Sequence, residues 1–81
     1  MQEELLKELG RRIRDRRKAL GLSQEGLAAF ADIDRSYMGG VERGERNISF
    51  TRLCDIARAL QCDLEVIGMG LPSNVAAKRK E

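Results

Sequence analysis

The sequence predicts a compact all-α domain of five elements, of which the fifth is either a helix or an extended segment. Apolar residues recur at helical spacing in the first quarter of the chain and again after residue 50. A helix-start pattern also occurs three times: an apolar residue, a capping Ser or Asp, and an apolar residue four positions after the cap. The three copies are Leu22-Ser23-Leu27, Ile33-Asp34-Met38 and Ile48-Ser49-Leu53. Because this pattern fixes how a chain enters a helix, the starts of three helices are predicted.

The first helix is expected over residues 3–20, with Gly21 as the residue that ends it. Its apolar stripe consists of Leu5, Leu6, Leu9, Ile13 and Leu20. Arg17 occupies the position on that stripe between Ile13 and Leu20. Since a charge in an apolar seam is costly unless it is paired, Arg17 is predicted to meet a carboxylate from elsewhere in the chain.

Two short helices are predicted over residues 24–31 and 35–43, joined by a turn at Asp32-Ile33. Their capping residues, Ser23 and Asp34, lie eleven residues apart, which leaves room for about two turns of helix and a tight corner. This spacing is typical of a helix-turn-helix, which places its second helix in the major groove of DNA. The sequence therefore predicts a DNA-binding protein.

The fourth helix is expected over residues 50–60, and two interpretations of the next segment are open. Asp63 could cap a short helix over residues 64–69. Alternatively, apolar and acidic residues alternate from Cys62 to Val66, which is the pattern of a strand with one buried face.

The domain is predicted to cover residues 3–71, and residues 72–81 are predicted to form a mobile basic tail. The net charge of +2 is too small to indicate a partner. Residues 11–18, however, hold six basic side chains and one acidic one, a distribution expected of phosphate contact. DNA contact and simple solvation are both open for the side chains that share the exposed face of this run, Arg11, Arg14 and Lys18.

Several classes of protein are not supported by the sequence. The chain begins with charged residues and has no apolar run long enough to cross a membrane, so a cytoplasmic protein without membrane contact is expected. It contains no His, and Cys54 and Cys62 lack the spacing of metal ligands, so neither a metal nor another cofactor is expected. Without His or a recognisable nucleophile motif, no enzyme is predicted.

Three segments together carry a family resemblance: LSQEGLA at residues 22–28, DRSYMGGVERGERN at residues 34–47 and LCDIARAL at residues 53–60. In this combination the chain resembles the phage-repressor-like (Cro/CI, XRE-type) helix-turn-helix regulators over about residues 9–67. Residues 34–47 look most like the small controller proteins of restriction–modification systems. The resemblance implies a lambda-repressor-like fold of five helices and a sequence-specific regulator of transcription.

The resemblance also implies roles for individual residues. Glu42 corresponds to the family's buried acidic residue and Arg17 to its basic partner, which agrees with the carboxylate that Arg17 requires. The recognition-helix positions that face the bases are Arg35, Ser36, Gly39 and Gly40. Contacts with the DNA backbone are implied for Gln24, Tyr37, Arg43, Arg46 and Asn47. Arg35 is the main candidate for reading a base, because a guanidinium can bind guanine O6 and N7 together.

Two positions depart from the family pattern. The corner between the short helices has Asp32 where the family commonly has Gly, and Asp tolerates the left-handed conformation better than most residues. Gly39-Gly40 lies inside the recognition helix, where each Gly costs about 1 kcal/mol relative to Ala. Either packing alone holds this helix, or the missing side chains let its backbone approach the bases. In both cases sequence preference would depend largely on Arg35, Ser36 and DNA shape.

A homodimer on a pseudo-palindromic operator is expected, because one recognition helix reads only about four or five base pairs. The predicted dimer contact is the apolar segment after the fourth helix, namely Leu64, Val66, Ile67 and Met69. The expected partners are double-stranded DNA and a second copy, with a toxin or RNA polymerase as further candidates. Two alternatives are open: an antitoxin that represses its own operon, which a strand over residues 64–69 would favour, and a helix-turn-helix module that contacts protein.

Overall fold

The computed structural model describes residues 2–72, and in this range the chain forms five α-helices and no strand. They are α1 (Gln2–Ala19), α2 (Gln24–Ala31), α3 (Arg35–Glu42), α4 (Phe50–Ala59) and α5 (Leu64–Gly68). The predicted all-α fold class is confirmed. The predicted bounds differ by at most one residue, and at α3 and α4 the extra residue, Arg43 or Leu60, is the cap at which the helix ends.

All three predicted start patterns cap a helix. Their side-chain oxygens accept hydrogen bonds at 2.9–3.3 Å from backbone N–H groups of the first turn, and the capping residues are Ser23, Asp34 and Ser49. Asp34 accepts two of these bonds, from the amides of Ser36 and Tyr37. Such a cap typically contributes about 1 kcal/mol. The start of α3 is therefore fixed, and with it the direction in which its first side chains face.

The core receives at least one fully buried side chain from each helix or its cap. These side chains are at most 1% exposed and belong to Ile13, Leu27, Met38, Ile56, Leu60 and Ile67. α1 packs against α3, α2 packs against α3 and α4, and α5 packs against α1 and α4. Burying each such side chain contributes about 1.5–3 kcal/mol. In the helix-turn-helix pair, α3 is thus held by α1 and α2 is held by α4.

The segment after α4 is the helix α5, which settles the choice between helix and strand. Ile67 corrects one prediction: it is 1% exposed and fills the core, so it is not available for a dimer contact. α5 contacts both α1 and α4 and buries Ile67 completely, which the sequence pattern did not indicate. Val66 and Met69 are 46% and 69% exposed, and Leu64 is half-buried.

The corner between α2 and α3 is built on Asp32, which has the left-handed conformation with φ 57° and ψ 46°. The amides of Asp32 and Ile33 donate to the carbonyls of Ala29 and Ala28 at 3.2 and 2.9 Å, which ends α2. From α4, Arg52 Nη1 donates to the Asp32 carbonyl at 3.3 Å. The corner is therefore held by α4 as well as by its own turn.

α1 passes close to the C-terminal end of α3 at Gly10. A Cβ atom at this position would lie 2.5 Å from the carbonyl oxygens of both Val41 and Glu42, far inside van der Waals contact. A side chain here would force one helix to move. The close approach brings Glu42 onto the face of α1 that carries Arg17.

Three further expectations concern membrane contact, metal binding and the basic tail. No helix within residues 2–72 is long and apolar enough to cross a membrane. In the same range no group of His, Cys, Asp and Glu side chains could hold a metal ion, and Cys54 and Cys62 are free thiols. From residue 73 onward the predicted basic tail lies outside the described residues.

Candidate nucleic-acid interface

The site is built around a buried ion pair between α1 and α3. Arg17 Nε donates to Glu42 Oε2 at 2.7 Å, and Arg17 Nη2 donates to Glu42 Oε1 at 3.0 Å, so the two groups meet as a parallel fork. The two side chains are only 11% and 2% exposed. The remaining nitrogen, Arg17 Nη1, donates to the Leu22 carbonyl at 3.0 Å, just before α2 begins. Glu42 thus supplies the carboxylate that a charge on the apolar stripe of α1 requires.

Glu42 stabilises the positive charge of Arg17 in its buried position. The hydrogen bond to Glu42 raises the pKa of Arg17 further above its ordinary value, and this effect outweighs the opposing effect of burial. Among the described residues, no buried side-chain nitrogen or oxygen lacks a hydrogen-bond partner. The charge in the core is therefore fully compensated, as a buried ion pair must be if it is not to destabilise the fold.

The same carboxylate also holds the first residue of α2. Gln24 Nε2 donates to Glu42 Oε1 at 3.1 Å. The side-chain oxygen of Gln24 lies over α3, 3.2 Å from the place where a Cβ atom of Gly39 would be. Side chains from α1, α2 and α3 are thus connected through Glu42. The Gln24 amide is held at the N-terminal end of α2, where backbone N–H groups favour an anion.

The first two residues of α3, Arg35 and Ser36, are both exposed. Arg35 Nε lies 3.4 Å from Glu25 Oε2 on α2, and these side chains are 68% and 72% exposed. A pair this exposed contributes little to stability, but it keeps the guanidinium beside α2. Sequence reasoning did not single out Glu25, because an acidic residue in the first turn of a helix is expected from the helix dipole alone.

Gly39 and Gly40 are buried in the free protein, although the family resemblance placed them facing the bases. A Cβ atom on Gly39 would lie 3.1 Å from Arg43 Nη1, and one on Gly40 would lie 2.8 Å from Arg46 Cγ. The two glycines are thus covered by long polar side chains. For the α3 backbone to reach a base edge, Arg43 and Arg46 would have to move aside.

A hollow of about 240 Å³ lies between the start of α2 and the exposed face of α3. Its lining consists of Gln24, Arg35, Ser36, Gly39 and Arg43. Every one of these residues was predicted from the sequence to contact DNA. The hollow therefore brings candidates for base contact and for backbone contact onto one surface.

The other candidates for backbone contact lie at the end of α3 and in the loop after it. The guanidinium carbon of Arg46 lies 5.4 Å from the ring centroid of Tyr37, a cation–π contact. Tyr37 is half-buried and packs against the core, whereas Asn47 is exposed. Arg43 Nε donates to Glu45 Oε1 at 3.1 Å. These residues extend the polar surface beyond the hollow along α3.

Most of the basic run on α1 is used inside the domain. Arg11, which the sequence placed on the exposed face, is bound to Glu8 at 2.6 Å. Arg12 and Arg16 donate to backbone carbonyls near the ends of α5 and α4. Arg17, also in this run, forms the buried ion pair with Glu42. Of the three side chains predicted on the exposed face, Arg11 is thus bound within α1, and DNA contact by Arg14 and Lys18 stays a prediction.

The sequence profile of the helix-turn-helix family HTH_3 matches residues 13–67, from the middle of α1 into α5. This range includes the buried ion pair, the two short helices and every residue that lines the hollow. The chain belongs to the XRE-type HTH_3 family. The family suspected from the sequence segments is confirmed.

Solved structures with the same fold as this HTH_3 protein include restriction–modification controller proteins. C.AhdI from Aeromonas hydrophila superposes with a TM-score of 0.75 at 47% identity, covering 76% of this chain and 94% of C.AhdI. The wild-type controller protein C.Esp1396I gives a TM-score of 0.73 at 33% identity, covering 78% of this chain and 82% of the other. The lambda-repressor-like arrangement of five helices is thus shared with proteins of this kind.

Relatives by sequence are regulators as well. Control protein C.SmaI of Serratia marcescens is 42% identical over 52 residues, which are 64% of this chain and 62% of C.SmaI. A transcriptional regulator from the ATPase CF(0) region of Rhodospirillum rubrum is 42% identical over 57 residues, which are 70% of this chain and 53% of that relative. The chain therefore spans less than two thirds of these two relatives. This chain therefore has the helix-turn-helix DNA-binding domain of the HTH_3 family, and the relatives that share this domain with it are regulators.

Proposed function

We propose that this HTH_3 protein binds a pseudo-palindromic operator as a homodimer and, like the controller proteins it is similar to, controls restriction–modification genes. The observation that carries the proposal is the hollow between α2 and α3, which is lined by Gln24, Arg35, Ser36, Gly39 and Arg43. It combines an exposed guanidinium with an amide fixed at a helix N-terminus. Those are the groups needed to read a base and to hold a phosphate.

Arg35 is proposed to read a guanine, with Ser36 as a second and less discriminating contact. Arg35 is 68% exposed at the first residue of α3, and its exposed pair with Glu25 is readily exchanged for guanine O6 and N7. A bidentate contact of this type is worth about 1–3 kcal/mol in discrimination against a wrong base.

Five polar residues are proposed to hold the DNA backbone around this contact: Gln24, Tyr37, Arg43, Arg46 and Asn47. Gln24 is already oriented by its hydrogen bond to Glu42, so a phosphate contact requires little further ordering. Arg43 and Arg46 cover Gly39 and Gly40 in the free protein. When these two arginines move to phosphates, the glycine backbone of α3 becomes free to approach the base edges.

The two-fold contact is proposed to form through the exposed apolar side chains of α5 and the turn after it, Val66 and Met69, with the half-buried Leu64 beside them. Exposed apolar side chains that cluster usually mark an interaction site. A second copy of the chain is proposed to cover this surface, because one α3 reads only about four or five base pairs. A two-fold pair would place two α3 helices about 34 Å apart, one turn of B-DNA.

The alternative functions have less support. A strand over residues 64–69 would favour an antitoxin, but residues 64–68 form the helix α5. Neither the relatives nor the described residues support a toxin or RNA polymerase as a partner. The cytoplasm is the proposed location, since a DNA-binding regulator of this kind acts where the chromosome lies.

Selection of binding sites from random duplex DNA by the full chain tests the proposal. We expect an inverted repeat whose halves are centred about 10 base pairs apart, with a guanine in each half that Arg35→Ala no longer selects. Enrichment of a single unrepeated motif would contradict the dimer. Weak binding that does not depend on salt would contradict DNA recognition altogether and indicate a module that contacts protein.

A further inference from the structure

α5 is too short to hold its own position. It has five residues, its N-cap residue Asp63 makes no side-chain hydrogen bond, and its last turn has no basic residue. A helix of this length leaves nearly all its backbone groups without helical partners and is not stable alone. Its position must therefore come from contacts with the rest of the domain.

Apolar packing supplies only part of what α5 needs. Ile67 is fully buried, and Leu64 and Leu71 pack against the core on either side of it. Met69 lies between Gly68 and Gly70, and Gly70 has a φ of 80°. Because glycine permits a wide range of backbone conformations, local sequence does not fix the direction of the exposed Met69 side chain.

Arg12 of α1 holds the end of α5 by hydrogen bonds to its backbone. Its Nη1 donates to the carbonyl oxygen of Ile67 at 3.3 Å and also to that of Met69. Its Nε donates to Glu8 Oε2 at 2.8 Å, one turn earlier on α1. The Arg12 side chain is only 17% exposed. One guanidinium thus connects α1 to the end of α5 and to the turn after it.

One turn further along α1, Arg16 makes the corresponding contact with the end of α4. Arg16 Nε donates to the Leu60 carbonyl at 3.2 Å, and Arg16 Nη2 donates to the Gln61 carbonyl at 3.3 Å. α1 therefore closes the C-terminal ends of two successive helices with side chains four residues apart. This accounts for two basic residues of α1 that the proposed DNA contacts do not use.

We propose that Arg12, held by Glu8, is a positioning residue for assembly: it fixes the backbone at Met69 and so the orientation of the apolar surface that meets the second copy. The proposal rests on the dimer contact proposed above. The bond from Arg12 to the Met69 carbonyl is exposed and the bond to the Ile67 carbonyl is half-buried, so water can reach the Met69 carbonyl when Arg12 is lost. Loss of Arg12 is therefore expected to free the end of α5 without unfolding α1 to α4.

The test compares Arg12→Gln with Arg11→Gln in the full chain. Both variants remove one positive charge that is bound to Glu8, but only Arg12 contacts α5. Dimer dissociation is measured by ultracentrifugation, and affinity for a duplex with a single half-site reports whether α2 and α3 are intact. Amide hydrogen exchange over residues 64–71 is followed in a Val66→Asp background, so that assembly does not protect these amides.

For Arg12→Gln we expect a dimer dissociation constant raised by about tenfold or more, faster exchange over residues 64–71, and wild-type affinity for the half-site. Arg11→Gln should match the wild type in all three measurements. Glu8→Gln, which leaves Arg12 in place but weakens its support, should shift assembly and exchange in the same direction by less.

Wild-type exchange in Arg12→Gln would overturn the proposal, and so would equal effects of the two Arg variants, because the cause would then be charge alone. Faster exchange with unchanged assembly would overturn the link to the dimer. Val66→Asp separates that failure from failure of the proposed function. If Val66→Asp still dimerises, the contact through α5 is the wrong premise, and exchange still decides whether Arg12 positions this segment.

Discussion

Gln24, the first residue of α2, and Glu42, the last residue of α3, share a hydrogen bond of 3.1 Å. The acceptor, Glu42 Oε1, also receives Arg17 Nη2 at 3.0 Å. The side chain that we propose to contact a phosphate is therefore attached to the ion pair that holds α1 to α3. Since both bonds end on one carboxylate, fold stability and the geometry of DNA contact depend on the same residue.

Glu42→Ala should lower the free energy of unfolding by about 3–5 kcal/mol, because it leaves the Arg17 guanidinium buried without its counter-charge. Urea denaturation measures the change. Glu25→Ala is the matched control, since it also breaks an Arg–Glu pair, but one that is largely exposed. The control should lose less than about 1 kcal/mol. Similar losses for the two variants would mean that the Arg17–Glu42 pair is not special in stability.

Arg35→Ala and Gln24→Ala should affect DNA binding in different ways. The first removes a proposed base contact, so it should lose about 1–3 kcal/mol on the matched operator and show no preference at one base pair in each half-site. The second removes a proposed phosphate contact, so it should weaken matched and mismatched duplexes equally. Titrations against operators that differ at single base pairs distinguish the two patterns. The same uniform loss for both variants would contradict the assigned roles.

Gly10→Ala should lower the free energy of unfolding by about 1–3 kcal/mol, although Ala favours helix by about 1 kcal/mol. The reason is the new Cβ atom, which would lie 2.5 Å from two carbonyl oxygens of α3. Gly68→Ala is the control, because nothing lies within 4 Å of its Cβ position. It should leave stability unchanged or raise it. A neutral Gly10→Ala would show that α1 and α3 can separate without cost.

Val66→Asp and Ile67→Asp should separate assembly from folding, although the two residues are adjacent. Val66 is 46% exposed, so a charge there should give a folded monomer. Ile67 is 1% exposed, so a charge there should destabilise the domain itself. Ultracentrifugation and thermal unfolding of each variant check the two outcomes. A Val66→Asp chain that remains dimeric at the wild-type concentration would exclude α5 as the contact.

Glu8 should become protonated, and lose its ion pairs with Arg11 and Arg12, only at very low pH. Hydrogen bonds from Arg11, then from Arg12, lower the pKa of Glu8 from 4.5 to about 2. The pKa of Glu8 is lower in the folded than in the unfolded protein. The contribution of ionised Glu8 to stability is therefore complete above pH 4.5 and is lost as pH falls through about 2. A carboxyl titration by NMR measures the value directly. In Arg12→Gln the midpoint should move up toward 4.5, and an unchanged midpoint would contradict the contact.

The features that could be predicted from the sequence are those that depend on nearby residues or on the need to pair a buried charge. The caps Ser23, Asp34 and Ser49 act within one turn of helix, so their positions fix the starts of α2, α3 and α4 from sequence alone. The position of Arg17 on an apolar stripe predicts a carboxylate partner, because an unpaired charge there is costly. The family resemblance then indicated Glu42, which the structure places against it.

The unpredicted features depend on which distant segments meet. Gly10 gives no sign in the sequence that the end of α3 crosses it, and nothing local connects Arg12 with a carbonyl 57 residues away. The segment after α4 presents a different limit. Residues 64–69 fit a helix or a strand by pattern, and their pattern did not show that Ile67 would be buried while Val66 stayed exposed.

The position of Arg46 over Gly40 constrains how the DNA target of this protein can change. A side chain at position 40 would fall on Arg46, with its Cβ atom 2.8 Å from Arg46 Cγ in the present arrangement. A residue that gained a base contact there would displace Arg46 from its place beside Tyr37 in the absence of DNA. Two side chains that we propose to bind phosphates would then be less ordered before DNA is bound, which lowers affinity. A substitution at position 40 that changes which operator is preferred would therefore also change the overall affinity for DNA. A lineage that acquires a new target through position 40 should carry a second substitution at position 46, so its targets diverge by paired rather than single changes.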